Sequence, residues 1–152
     1  LKMTKRTKLF LFYFLLLLVS CYLFLSGVLN LSRTFLGLEV PIGSLLAWSI
    51  LIFLPTVIFY GNKSIYNPVR KFHFYYRNIL YFIIALAVLW LFIGYGFAGN
   101  WQFNFKEQEA FVGSSRAAAC FLYLTIGIVV VPVLTGIALR IHTIVIGILN
   151  PS

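Results

Sequence analysis

Two histidines are the residues of this chain best suited to holding a cofactor. His73 and His142 are the only histidines in the sequence, and each stands beside an apolar run of helical length. Two imidazoles that face each other at one depth could ligate haem b from opposite sides, or share a metal ion. A haem site also needs a porphyrin pocket, and no haem-attachment motif is present. We therefore expect two unligated histidines at the membrane surface, with no metal and no cofactor, and a haem-bearing electron-transfer subunit is the least favoured alternative.

Acid–base and nucleophilic chemistry lack their usual residues. The sequence contains three acidic residues, all of them glutamates that lie outside the apolar runs. Serines occur without a Gly-x-Ser-x-Gly turn, and the chain has no phosphate-binding glycine loop and no Cys-x-x-Cys pair. The sequence indicates no catalytic residue, and we predict that the protein is not an enzyme.

Basic and aromatic side chains alternate in residues 67–77, directly before the third apolar run. Aromatic rings favour the depth of lipid headgroups and basic side chains reach phosphates, so this segment is typical of an interfacial anchor. The alternative is a docking surface for a cytoplasmic partner or for one lipid headgroup. The candidate contact residues on this side of the membrane are Arg70, Lys71, His73, Tyr75, Tyr76, Arg77, Arg140 and His142.

Four apolar runs are long enough to carry these residues to a membrane surface. The chain is 62% hydrophobic and 10% charged, whereas about a quarter of the residues in a soluble domain are charged. A hydrocarbon core of about 30 Å needs about 20 helical residues per crossing. We predict one all-α transmembrane domain over residues 1–152, a four-helix bundle with short loops. The predicted spans are residues 9–29, 42–60, 79–98 and 117–139.

Prolines and one aromatic loop interrupt this simple pattern. Pro55 and Pro132 are predicted to kink the second and fourth spans, because proline removes a backbone hydrogen bond.

Two segments outside the predicted spans also carry apolar residues. Residues 140–149 form either an extension of the fourth helix or an interfacial segment. We expect the segment from Trp101 to Phe105 to lie on the membrane surface, because a lone strand would have no partner to pair with.

The basic residues fall mainly on one side of the predicted membrane. Of twelve lysines and arginines, nine lie in the N-terminal segment, in the loop between the second and third runs, or at the C-terminal end. The other three, Arg33, Lys106 and Arg116, share the opposite loops with all three glutamates. The positive-inside rule then predicts cytoplasmic N- and C-termini. We expect an integral membrane protein, with the bacterial inner membrane as the favoured location.

This charge asymmetry, together with the missing chemistry, favours a non-catalytic subunit that anchors, senses or scaffolds within a membrane-associated assembly. Its expected partners are anionic lipid headgroups, to which each basic residue near the surface contributes about 1 kcal/mol of binding free energy. Further copies of the chain, or another membrane or cytoplasmic protein, are also expected partners. Nucleic acid is not expected. The alternative is a small oligomeric channel or transporter that uses the kinked helices, with Gly127 and Gly136 along an inner surface.

Overall fold

A computed structural model describes most of the chain as helix. The described residues are 3–35, 39–105 and 111–149, with the side chains of residues 146–149 excluded. Lys106, Glu107 and Glu109 of the predicted outer loop therefore lie outside the described residues. The helices are α1 (Lys5–Leu25), α2 (Ile42–Gly61), α3 (Lys63–Tyr66), α4 (Lys71–Ala98) and α5 (Ser115–Leu149). Four of them, α1, α2, α4 and α5, are long and apolar enough to cross a membrane, as many as the spans predicted from the sequence.

The first helix both begins and ends four residues before the predicted span of residues 9–29. The helix begins at Lys5, because the side chain of Thr4 accepts a hydrogen bond from the backbone N–H of Thr7 and caps the first turn. It ends at Leu25 rather than at residue 29. Gly27 has a φ of 68°, a left-handed conformation that stops a helix and that glycine adopts without strain.

The third span was predicted from residue 79, but α4 begins at Lys71. Pro68 disfavours helix at the preceding Asn67, whose φ of −123° and ψ of 80° separate the single turn of α3 from α4. Much of the basic and aromatic segment is therefore the first two turns of α4. The helix α4 ends at Ala98, the residue at which the third apolar run ends, and Gly99 closes the helix with a φ of 76° and a hydrogen bond from its N–H to the carbonyl of Tyr95.

Helix α5, which contains the fourth predicted span, continues without a break past the predicted end at residue 139. It reaches Leu149, so residues 140–149 extend the helix, as one of the two alternatives predicted. At 1.5 Å per residue its 35 residues span about 52 Å, well beyond a hydrocarbon core of about 30 Å. Pro55 and Pro132 are fully buried inside α2 and α5, and the kinks expected there stay predictions.

The core lies where α2, α4 and α5 pack together, while α1 packs on α2. Ala87 of α4 is fully buried, which lets the neighbouring helix approach closely. Large apolar side chains fill the rest of the core, and most come from these three helices. The buried residues of the main cluster are Val40, Leu51, Ile83, Ala87, Trp90, Leu91, Ala98, Phe103, Phe121 and Ile128.

The segment from Trp101 to Phe105 packs into the bundle, so the prediction that this segment lies on the membrane surface is wrong. Phe103 is 4% exposed, and its ring packs against the rings of Trp90 and Phe121 at 5.8 Å and 5.3 Å. A Cβ atom at Gly94 would lie 2.5 Å from the Phe103 ring, so only glycine leaves room for it. Phe105, which has a φ of 62°, covers the start of α2. This end of the bundle is closed by aromatic side chains.

We expect Gly94→Ala to destabilise the protein and Gly96→Ala to leave its stability unchanged or slightly raised. The added methyl at Gly94 meets the Phe103 ring, and overpacking of this kind costs about 1–3 kcal/mol. No atom lies within 4 Å of a Cβ at Gly96, so there alanine only improves helix propensity. Thermal unfolding in detergent measures both variants, and equal melting temperatures would contradict the insertion of Phe103.

Candidate functional site

Both predicted histidines lie at one end of the bundle, which we call the basic end. The start of α1 reaches it, since Arg6 Nη1 donates hydrogen bonds to the carbonyl oxygens of Tyr60 and Gly61 at 3.0 Å and 3.2 Å. These carbonyls end α2 and have no partner within the helix, so Arg6 also caps α2. The start of α4 and the later turns of α5 meet at the same end.

The short helix α3 fixes where α4 begins. Its Ile65 is fully buried in a small cluster with Phe59 of α2, Leu80 of α4 and Leu139 of α5. Burying an isoleucine side chain contributes about 1.5–3 kcal/mol. The loop between α2 and α4 is therefore anchored to three helices, and the first turn of α4 has a defined position beside α5.

Rings from α4 and α5 form a compact cluster at this point, which we call the ring cluster: Phe72, His73, Tyr76 and His142. The His73 and His142 ring centroids lie 6.1 Å apart at 84°, which confirms that the two histidines lie on the same side of the bundle. Phe72 stacks on His142 at 4.2 Å and contacts Tyr76 at 4.5 Å. Phe72 was not among the predicted site residues, although its place next to His73 in an aromatic run could have signalled it.

The four rings of the ring cluster pack against one another, and the two histidine rings do not face each other. Haem ligation requires both imidazole nitrogens to point at one iron from the two faces of a porphyrin. Here the histidine rings meet edge to face, and Phe72 lies flat against His142. Among the described residues, no group of three or more His, Cys, Asp or Glu side chains could hold a metal ion.

The remaining predicted residues of α4 divide into two sets. Arg77 is half-buried, with its guanidinium carbon 4.6 Å from the centroid of the Phe74 ring and 5.9 Å from that of Tyr81. Such cation–π contacts hold the guanidinium against the helix. Arg70, Lys71 and Tyr75 are exposed. The chain around the start of α4 therefore presents two cations and a phenol outward.

Arg140 does not belong to the ring cluster. It lines a groove between α1, α2 and α5, together with Phe10, Ile58 and Ile141. His142 packs against α4 instead. The eight predicted residues thus occupy two surfaces of the basic end rather than one. Sequence separation could not show this, because Arg140 and His142 are two residues apart and a helix turns them toward different neighbours.

Burial and neighbouring charges act on one histidine of the ring cluster. His73 lies in the first turn of α4, before the apolar stretch of residues 79–98. Burial, followed by the charges of His142 and Arg70, lowers the pKa of His73 from its ordinary value of 6.5. Protonation of His73 is therefore less favourable in the folded protein than in the unfolded chain.

We expect the protein to lose stability as the pH falls through 6.5. A lowered pKa in the folded state means that the unfolded chain binds more protons in this range, so the stability is complete above pH 6.5 and decreases below it. Melting temperatures between about pH 8 and about pH 5 measure the effect. His73→Phe, which keeps a ring at this position, should reduce the dependence on pH. An unchanged dependence in this variant would contradict the assignment to His73.

No protein-family model, curated protein or solved structure matches this chain. The helices, the ring cluster and the basic end are therefore the observations from which a function is proposed.

Proposed function

We propose that this chain is an integral membrane protein with four crossings, and that its basic end faces the cytoplasm. There it acts as a non-catalytic subunit that anchors or scaffolds a membrane-associated assembly, by binding an acidic surface of a protein partner. The observation that carries the proposal is the exposure of Arg70, Lys71 and Tyr75 at the start of α4, where no acidic residue of the described part of the chain lies beside them. The supporting observations concern the apolar surface, the charge and the helix lengths.

The surface of α1 suits lipid and not water. Leu15, Tyr22 and Leu25 are 61%, 65% and 80% exposed, and most other residues of this helix are also at least partly exposed. Soluble monomers rarely expose a continuous apolar surface of this kind. In a bilayer the same side chains are in their preferred solvent, and the helical backbone satisfies its own hydrogen bonds.

The basic end carries positive charge that nothing in the described chain neutralises. Eight described lysines and arginines lie there: Lys5, Arg6, Lys8, Lys63, Arg70, Lys71, Arg77 and Arg140. Glu39 is the acidic residue of the described ranges, and it precedes α2 at the opposite end. Loops with an excess of lysine and arginine stay on the cytoplasmic side, which supports the proposed orientation.

Two helices are longer than a bilayer requires. With 28 residues α4 spans about 42 Å, and α5 spans about 52 Å. When residues 79–98 occupy a hydrocarbon core of about 30 Å, the first two turns of α4 extend beyond it. Arg70, Lys71 and Tyr75 then stand in the headgroup region or in the cytoplasm, within reach of a protein partner. Electrostatic complementarity would guide such a partner to this surface.

The alternative, a channel or transporter built from several copies, stays a prediction. Trp90, Phe121 and Ile128 fill the space between the helices of one chain, so a solute path would have to run between copies. No atom lies within 4 Å of a Cβ at Gly127, so this glycine faces away from the packed interior of the chain. The geometry favours a contact role at the basic end.

We expect the double variant Arg70→Glu/Lys71→Glu to lose its protein partner. Both side chains are exposed, so the fold should persist, while the reversed charges would repel an acidic surface and lower complex occupancy about ten-fold or more. Native mass spectrometry of the complex extracted in mild detergent measures the occupancy.

Arg33→Glu/Arg116→Glu is the matched control. It makes the same change in net charge with two exposed residues at the opposite end. The control should keep the partner. Equal loss of the partner in both double variants would point to a general effect of net charge. An intact complex in Arg70→Glu/Lys71→Glu would contradict a contact through the start of α4.

A further inference from the structure

A groove of about 520 Å³ lies between α1, α2 and α5 at the basic end. Its walls are apolar side chains, among them Phe10 of α1, Val57 and Ile58 of α2, and Ile137 and Ile144 of α5. The volume falls within the range of about 300–1,000 Å³ typical of ligand pockets. The ring cluster on the α4 side of α5 does not contribute to it.

A glycine keeps this groove open. Gly136 lies in its lining, and a Cβ there would come within 3.5 Å of Cγ2 of Ile58 on the facing helix. A longer side chain at this position would extend from α5 into the space that the groove occupies. The shape of the groove therefore depends on the residue at position 136, which gives a direct way to fill it.

The lining of the groove includes one cation that has no counter-charge within the described part of the chain. Arg140 lines the groove and is exposed, and it makes no hydrogen bond or ion pair with the described part of the chain. Gly61 also lines the groove, and its carbonyl oxygen accepts a hydrogen bond from Arg6, so a second guanidinium lies beside the groove. The groove thus combines an apolar wall with an unpaired cation.

We propose that this groove binds one anionic phospholipid, with an acyl chain along the apolar wall and the phosphate at Arg140. The inference rests on the proposed membrane insertion and orientation, because it needs the groove to open to the cytoplasmic leaflet. Basic pockets between transmembrane helices on that side bind anionic headgroups. A free phosphate would leave the apolar wall without a partner, which is why a lipid is the expected source of the anion.

The test uses the full chain, purified in mild detergent and incubated with equal amounts of phosphatidylglycerol and phosphatidylcholine. Native mass spectrometry counts the lipids that stay bound. We expect one retained phosphatidylglycerol per chain, preferred about five-fold over phosphatidylcholine, which corresponds to one basic contact. Arg140→Ala should abolish the preference, and because Arg140 is exposed this variant should keep the fold.

Filling the groove provides a second variant with a matched control. Gly136→Leu should expel the lipid while Arg140 remains. Gly127→Leu, on the same helix with open space around it, should retain the lipid, as should Arg70→Ala at the basic end outside the groove. Melting temperatures of the two leucine variants show whether each is folded, and Arg140→Ala decides the outcome if Gly136→Leu is not.

Several results would overturn the proposal. Equal retention of both lipids, or an unchanged preference in Arg140→Ala, would mean that the groove holds no specific anionic lipid. Displacement of phosphatidylglycerol by millimolar inorganic phosphate alone would assign the site to a free anion. Loss of the lipid with an intact protein complex overturns only this inference, whereas a chain that stays soluble without detergent overturns the proposed function as well.

Discussion

The arrangement of the whole bundle depends on how α4 is held between α2 and α5. Trp48 of α2 donates its indole N–H to the carbonyl oxygens of Ala87 and Val88, at 3.0 Å and 3.1 Å. Trp90 of α4 donates its indole N–H to Thr125 Oγ1 of α5 at 2.7 Å. In an apolar environment an unpaired N–H costs several kcal/mol. A shift of α4 along either neighbour would leave these donors unpaired, so the two indole N–H groups fix the register of α4.

The register of α4 determines the structure at both ends. Toward its C-terminus it places Gly94 where the ring of Phe103 can enter, and the aromatic loop closes that end. Toward its N-terminus it places His73 beside His142 and leaves Lys71 exposed. Aromatic side chains pack at one end of the bundle and the other end presents exposed positive charge, which is why we propose a contact function for the basic end.

The sequence predicts four helices long enough to cross a membrane, and the structure contains four, because an apolar run of about 20 residues is long enough for one crossing as a helix. It fails where polar residues continue a helix. The start of α4 was placed at residue 79 because basic and aromatic residues in the preceding segment are equally typical of an interfacial loop. For the same reason, the sequence did not decide whether residues 140–149 continue α5.

Long-range contacts explain the other differences. The alternation of aromatic and polar residues from Trp101 to Phe105 is typical both of a surface segment and of a segment inserted into the bundle. The space that Gly94 leaves for the Phe103 ring distinguishes the two interpretations, and the sequence does not show that the two residues meet. The two histidines were expected on one side because both lie next to the same ends of predicted spans. The contact of Phe72 with His142, and the position of Arg140 on another side of α5, depend on how each helix is rotated about its axis. The apolar residues are spread around these helices, so the sequence does not specify that rotation.

Cysteine labelling tests the central claim, a bundle with its basic end in the cytoplasm, most directly. Val69, 94% exposed before α4, and Val112, 78% exposed before α5, are replaced singly by cysteine in a chain without Cys21 and Cys120. We expect a membrane-impermeant maleimide to label Val112→Cys on intact cells, and Val69→Cys only in inside-out vesicles. Labelling of both from one side, or in the reverse order, would contradict the proposed topology.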